Sequence, residues 1–399
     1  MTLRRPPDRQ ATRRGITTPL IAAALLLAAL GLALVLDRLW LEAAQVELTA
    51  AGEAAALAAA RALACDERLK PDANGSLLSN RAIDAAVAIA RHNSVASAPV
   101  ELDAEKGDIR FGRLGASSSA FDQPDSLEFG ETDLLPTHVQ IAAHRSRSRG
   151  NPVALFFHEL TQQPYGDVVV QVEAGLSNHL VGVRPFVGAP VPALPLAIWR
   201  EDPTGKCPDT WRHAIEQRRG RDDYGYDADR QEVIVGSDGI PEIVLRTQPR
   251  SGATDKVNLH LLDIGTGFDA DRLHSQFARG WTVADLEAWD GELKPASAGL
   301  KLSATARLQS GERESLESIR GEARICLLYS VCVPAGRSAR MLANCVDFVA
   351  IRVLVVRDLD DGSTEVIAQP AVIATRTALT ETAEAAVANP YIYRLTLTR

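Results

Sequence analysis

The sequence predicts an α+β protein with a long N-terminal transmembrane and stalk helix, a mainly antiparallel β-sheet exported region and a second α+β unit. Two observations support this prediction. Residues 15–36 contain no charged side chain, and an alanine-rich stretch suited to a helix continues from them to residue 69. From residue 100 onward, apolar and polar residues alternate with a period of two in short runs, which is typical of β-strands.

The uncharged run, residues 15–36, is long enough to form a transmembrane helix. At ~1.5 Å per residue it spans roughly 33 Å, whereas the hydrocarbon core of a bilayer is ~30 Å thick. A cleaved secretory signal would have a shorter apolar core with small residues after it. Asp37, Arg38 and Trp40 follow the run instead, which favours an uncleaved anchor.

The tail at residues 1–14 sets the expected orientation of this anchor. Positively charged flanks stay on the cytoplasmic side of a membrane. We therefore expect a cytoplasmic N-terminus and export of the bulk of the chain, because the charged residues of the tail are Arg4, Arg5, Asp8, Arg9, Arg13 and Arg14.

The stalk helix is predicted at residues 37–70, is rich in alanine and ends before Pro71. Small side chains allow helices to approach each other closely. We expect the stalk to pack on its own sheet or on neighbouring helices, including the stalk of a second copy. A solvated stalk is the alternative.

A pilin-like α+β unit is predicted at residues 71–189. Asn74 and Gly75 form a turn, and a short helix with one apolar side follows up to residue 91. Turn-forming residues separate most of the strand-like runs after it, which favours a meandering antiparallel sheet. These runs are residues 100–102, 108–114, 138–144, 153–157 and 168–174.

A second α+β unit or insertion is predicted at residues 190–336, and four prolines between positions 185 and 195 mark its border. Residues 337–399 are predicted to supply C-terminal strands that close the sheet, with a hairpin turn at Asp361 and Gly362. The short helices and strands expected before them are residues 211–218, 231–235, 242–247, 269–279, 283–288 and 325–333.

Composition indicates a folded, acidic exported region. The chain has 399 residues, of which 46% are hydrophobic, so it can bury at least one sizeable core. Its net charge is −8, and the first fourteen residues contribute +4, so the remainder has −12 (−8 minus +4). A nucleic acid is not expected as a partner, because no basic face offsets this acidity.

The five cysteines allow a disulfide but do not require one, and their odd number leaves at least one thiol unpaired within the chain. If Cys326 and Cys332 share one strand, six residues at ~3.3 Å place them about 20 Å apart, too far for a disulfide. Cys345 is the better partner for one of them, across a turn at residues 334–336. The alternative is that all five cysteines are buried apolar side chains.

Two motifs resemble enzyme sites but lack essential residues. His158 and Glu159 begin a zinc-protease signature, but Gln162 stands where the second histidine is required. Residues 262–267, Leu-Asp-Ile-Gly-Thr-Gly, resemble the glycine-rich loop of S-adenosylmethionine-dependent methyltransferases. Asp269 replaces the third glycine, and the exported side of a membrane should lack the cofactor. We therefore predict no catalytic, cofactor-binding or metal-binding residue, no cofactor and no enzyme activity.

The anchor and stalk together resemble the N-terminal module of TadE/TadG-like proteins of Flp, or tight adherence, pilus assembly systems. The family usually has Leu-Gln-Asn-Ala-Ala-Asp-Ala-Ala-Ala-Leu-Ala in the stalk, where this chain has a similar alanine-rich segment at residues 48–60. The positions on which the resemblance depends are Gly15, Asp37, Leu48, Glu53 and Leu57, with Glu53 in place of the family's aspartate. Weaker similarity is found in residues 150–157, 167–175, 258–267 and 389–391.

The resemblance implies a non-enzymatic, single-pass component of a Flp-type pilus assembly or secretion apparatus. Its site would be the bacterial inner membrane, with a periplasmic docking domain. The implied partners are other pilus-assembly or membrane components, inner-membrane lipid and a second copy through the stalk helix, with Asp37 and Glu53 as docking positions. An anchored extracytoplasmic sensor or ligand-binding domain is the alternative, and a methyltransferase-like enzyme is a lesser one.

Overall fold

The structure, a computed structural model, has the predicted α+β fold, with one long apolar N-terminal helix and mostly antiparallel sheets. Gly15, the basic tail and Gly336 in the predicted turn lie outside the residues that it describes. Those residues are 17–114, 127–129, 135–249, 251, 257–296, 298–335, 340–381 and 386–398.

The first helix is by far the longest, and its alanine content explains why it continues beyond the apolar run. It ends at Leu63, earlier than predicted, because Cys65 is extended and Asp66–Leu69 form a 3₁₀ turn. The second helix begins at Gly75, because the Asn74 side chain accepts a hydrogen bond from the N–H of Ser76 and caps it. The helices are α1 (Thr17–Leu63), α2 (Gly75–His92), α3 (His158–Thr161), α4 (Ala270–Arg279) and α5 (Ser310–Ser318).

A first antiparallel sheet lies against α1. Its central strand β8 pairs with β5, which pairs with β3, and β3 pairs with β4. The strands of this half of the chain are β1 (Ser94–Val95), β2 (Ala98–Pro99), β3 (Ile109–Leu114), β4 (Leu127–Phe129), β5 (His138–Arg145), β6 (Val153–Ala154), β7 (Tyr165–Gly166), β8 (Val168–Ser177) and β9 (Leu180–Val183).

The core under this sheet is built largely from the stalk. Five alanines between residues 51 and 60 are buried against β8, β5 and α2. Gly52 allows a close approach of the stalk to β8, because a Cβ there would lie 3.0 Å from Cγ2 of Val172. The stalk therefore packs on its own sheet and on α2, the first of the two arrangements expected from its composition.

A second sheet closes on itself. Strand β17 pairs with β16 and with β15, and β10 and β14 complete a ring of five strands, while β18 and β13 extend it. A separate hydrophobic core packs on this sheet, and Trp211, Phe277 and Trp281 are fully buried in it. The strands are β10 (Ala193–Trp199), β11 (Tyr224–Asp227), β12 (Glu232–Val235), β13 (Ile243–Arg246), β14 (Leu259–Leu262), β15 (Leu300–Thr305), β16 (Ala323–Pro334), β17 (Met341–Asp358) and β18 (Thr364–Pro370).

The predicted border at residue 336 falls inside this second sheet. It lies between β16 and β17, which pair with each other along most of β16. Only the last strands return to the first sheet, where β21 pairs with β8 and β19 pairs with β21. The part of residues 337–399 that closes the first sheet is therefore short, and the final strands are β19 (Ile373–Ala374), β20 (Ala378–Thr380) and β21 (Ile392–Leu397).

Candidate functional site

The apolar run of α1 is exposed along almost its whole length. In its most apolar stretch of 18 residues only 6% of the residues are buried, and leucines such as Leu27 are exposed. A helix of this length and composition is compatible with a single membrane span.

Asp37 ends the apolar run and holds a loop against α1. The residue is only 4% exposed, and its Oδ1 accepts hydrogen bonds from the N–H groups of Phe156 and Phe157, at 2.9 and 3.3 Å. Its Oδ2 is buried with no hydrogen-bond partner among the described residues. One turn later, Trp40 Nε1 donates to the carbonyl oxygen of Ala154 at 3.1 Å, and its ring lies 5.0 Å from that of Phe156. The Asp37 carboxylate thus has a structural role within the chain.

The other stalk positions singled out in the sequence divide between the core and the surface. Leu48 is fully buried and Leu57 packs partly buried against the same core. Glu53 lies one turn before Leu57 on the same side of the helix and is half-buried. No hydrogen bond or ion pair joins it to another of the residues that the structure describes. Its carboxylate is therefore free to meet a basic group from outside the chain.

Glu53 lines a shallow groove on the surface of α1. We call this surface the stalk groove; it has a volume of about 520 Å³. Val46 is exposed at its centre, and Arg38 forms an ion pair with Glu42 at one end, at 2.9 Å. The groove thus combines small and apolar side chains with acidic ones, and its lining residues are Glu42, Gln45, Val46, Thr49, Ala50 and Glu53.

The far end of the stalk is fastened to the second sheet. Asp66 accepts hydrogen bonds from Arg352 at 2.6 Å through Oδ2 and from the N–H of Val372 at 2.7 Å through Oδ1. The Arg352 guanidinium also lies 3.6 Å from the ring centroid of Tyr226. In addition, Arg218 donates to the carbonyl oxygen of Leu69 at 2.9 Å. These contacts join the two cores at residues 66–69.

A cleft of about 380 Å³ opens beside this joint, between the end of the stalk and the hairpin β11–β12. Its charged side chains already have partners in the chain: Lys70 bonds Glu67 at 2.8 Å, and Asp238 accepts from the N–H groups of Tyr226 and Ile240. A polar ligand would have to displace these contacts. The cleft therefore fits a structural joint better than a binding site.

The two enzyme-like motifs also have internal partners. His158 and Glu159 face each other at 3.4 Å in α3, which ends at Gln162 in the left-handed conformation. The glycine-rich loop does connect strand β14 to helix α4, but Asp263 Oδ1 accepts from the N–H groups of Thr266 and Gly267, at 2.9 and 2.7 Å. These two amides are thus occupied by a carboxylate of the chain itself. Across the described residues, no group of three or more His, Cys, Asp or Glu side chains is placed to hold a metal ion.

Strand β16 contains both Cys326 and Cys332, so these two thiols are too far apart to pair. The register places Cys332 opposite Ala343, two residues from Cys345, and Cys326 opposite Val349. Cys332 and Cys345 are therefore diagonal neighbours on adjacent strands. All five cysteines are free thiols, and burial raises the pKa of Cys332 to about 11 and that of Cys345 to about 12.

Sequence reasoning missed the contacts that fasten the stalk at both ends. Asp66 and Arg352 are 286 residues apart, and Asp37 and Phe156 are 119 residues apart. A local pattern could only have shown that an acidic residue stands at each end of an alanine-rich helix. Comparison with protein-family models, curated proteins and solved structures gives no significant match.

Proposed function

We propose that the protein is a non-enzymatic, single-pass component of a Flp-type pilus assembly or secretion apparatus in a bacterial inner membrane. Its N-terminus would be cytoplasmic and the two sheets periplasmic. The observation that carries the proposal is the form of α1, which is apolar and exposed before Asp37 and, at residues 38–50, packed on one side with the other side open. Such a helix supplies an anchor and an open docking face in one element.

The docking face would be the stalk groove. Its apolar centre at Val46 and its unpaired carboxylate at Glu53 suit a partner helix with small or apolar side chains and one basic group. That partner would be another component of the apparatus or the stalk of a second copy. The resemblance to TadE/TadG-like proteins in the same segment supports this assignment.

Charge reversal at Glu53 tests the docking face. We expect Glu53→Lys to lose co-purification with the other membrane components of the apparatus, because a lysine would face the partner's basic group. Glu232→Lys is the matched control, since Glu232 is an exposed carboxylate on the distant strand β12. Equal recovery of partners with both variants would contradict docking through the groove.

The topology is tested separately on membrane-extracted protein. N-terminal sequencing that begins near residue 45 would show that the anchor is removed and would refute the single-pass proposal. A protease added to sealed vesicles should reach the two sheets from one side and the basic tail from the other.

An anchored ligand-binding domain is the second candidate, because the cleft beside Asp66 is large enough for a small molecule. The internal partners of its charged residues argue against it. A methyltransferase-like activity is the third candidate and is tested by titrating S-adenosylmethionine into the full-length chain in detergent. The full chain is needed because the stalk fills the first core; an absence of binding heat would exclude this candidate.

A further inference from the structure

A hairpin beside the apolar run exposes three large apolar side chains. Strands β6 and β7 form the hairpin, and α3 lies at its tip. We call residues 155–165 the juxtamembrane loop. Phe156 is 64% exposed, Leu160 49% and Tyr165 47%.

The bonds of Asp37 fix the height of this loop along α1. Asp37 is the first charged residue after the apolar run, so in a membrane it would lie at the edge of the hydrocarbon core. Its Oδ1 holds the N–H groups of Phe156 and Phe157, which places the start of the loop at the same level.

The loop also extends toward the apolar run. Ala33 lies one turn before Asp37 on the same face of α1 and is only 2% exposed, whereas its neighbours Leu32 and Leu34 are exposed. Helix α3 also lies against α1 and follows Phe157, whose N–H binds Asp37, directly in sequence. Part of the loop is therefore level with the last turn of the apolar run.

We propose that the juxtamembrane loop contacts the lipid bilayer, with Phe156, Leu160 and Tyr165 at the boundary between headgroups and acyl chains. This inference rests on the proposed membrane span of α1. Aromatic rings are favoured at that boundary, and Trp40, which stacks on Phe156, adds a fourth apolar side chain at the same level. His158 and Glu159 are exposed on the same short helix and would face the headgroups.

A second contact with the membrane would set the height and tilt of the exported body. A single helix leaves the tilt undefined, but a helix and a loop on one side of it define a plane. Val46, at the centre of the stalk groove, would then stand about 14 Å above Asp37, since nine helical residues separate them. The groove would thus face partners that lie close to the membrane surface.

Photo-crosslinking to lipid tests the inference in the full-length protein. We would place p-benzoylphenylalanine at position 156 or 160, one site at a time, in protein reconstituted into vesicles of phosphatidylethanolamine and phosphatidylglycerol. Position 27, in the apolar run, is the control for the span. Position 235 is the distant control, because Val235 is exposed on β12, and the hairpin that contains β12 lies near the far end of α1. That end of the helix is roughly 39 Å beyond Asp37.

Lipid adducts at positions 27, 156 and 160, with none above background at 235, are expected. Adducts at 27 but not at 156 and 160 would overturn the loop contact and leave the anchor intact. Adducts of 156 or 160 to protein instead of lipid would also overturn it, because a second copy or another component would then cover the loop. No adduct at 27 would refute the membrane span itself, and equal adducts at 235 would show that lipid contact is not specific to the loop.

Discussion

The joint between the stalk and the second sheet should depend on one ion pair. Asp66→Asn keeps the size of the side chain and leaves one oxygen able to accept from Val372, but it removes the negative charge that faces Arg352. The Arg352 and Asp66 side chains are only 9% and 20% exposed. Arg352 would then remain in the joint with its stacking on Tyr226 but without its counter-charge.

The expected cost follows from this burial. Removing one partner of a fully buried ion pair costs about 3–5 kcal/mol, and an exposed pair contributes about 0–1 kcal/mol. The Asp66 carboxylate is partly accessible, so we expect a loss of about 2–3 kcal/mol in the free energy of unfolding. Lys106→Met is the matched control, since Lys106 forms a close pair with Asp103 at 2.7 Å but is mostly exposed, and it should cost less than about 1 kcal/mol.

Guanidinium unfolding of the full-length protein in detergent measures both values. The emission of Trp211 and Trp281, which are fully buried in the second core, reports the unfolding of that core. A double-mutant cycle with Arg352→Met separates the ion pair from the stacking on Tyr226. If Asp66→Asn and Lys106→Met cost the same, or if the cycle shows no coupling, the joint does not depend on this pair.

Three further predictions concern single positions. Burial raises the pKa of Glu242 to about 7, against the opposing effect of its two backbone hydrogen bonds, so the folded state binds the proton more tightly and stability should fall as the pH rises from 4.5 to 7. Glu242→Gln should remove that fall in denaturant unfolding measured across this pH range; an unchanged pH profile would refute it. Gly280→Ala should lower the free energy of unfolding by at least about 2 kcal/mol, because φ is +91° and a Cβ would overlap the carbonyl oxygen of Val191; a wild-type unfolding midpoint would contradict this. If an oxidant forms a disulfide within the second sheet, peptide mapping should find Cys332 joined to Cys345, and a bond to Cys326 would contradict the strand register.

Elements that their own local sequence pattern specifies could be predicted well. The strand-like run at 168–174 corresponds to β8, because alternation and turn residues specify it locally. The run at 153–157 was predicted as a strand but ends at Ala154. The N–H groups of Phe156 and Phe157 bind Asp37 instead of a neighbouring strand. Nothing within the run indicates a partner 119 residues away.

The extent of the second sheet could not be predicted for a similar reason. Strand β17 has 18 residues and pairs with β16 along one edge and with β15 and β18 in succession along the other. Its apolar pattern shows that it is buried but not which strands flank it. The closed ring, and with it the position of residues 341–370, depends on that choice of partners.

The acidic residues of the stalk differ in what they contact, and that difference identifies the candidate docking position. Asp37 and Asp66 are tied to backbone amides at opposite ends of the packed part of the stalk, about 44 Å apart along a helical path, so their charges stabilise the protein's own fold. Glu53 lies between them, half-buried at the stalk groove, and has no such contact among the described residues. Glu53 is therefore the stalk carboxylate best placed to select a partner, because the fold does not use its charge and small side chains surround it in the groove. Replacement of Glu53 should therefore change binding with little effect on stability, whereas replacement of Asp37 or Asp66 should do the reverse.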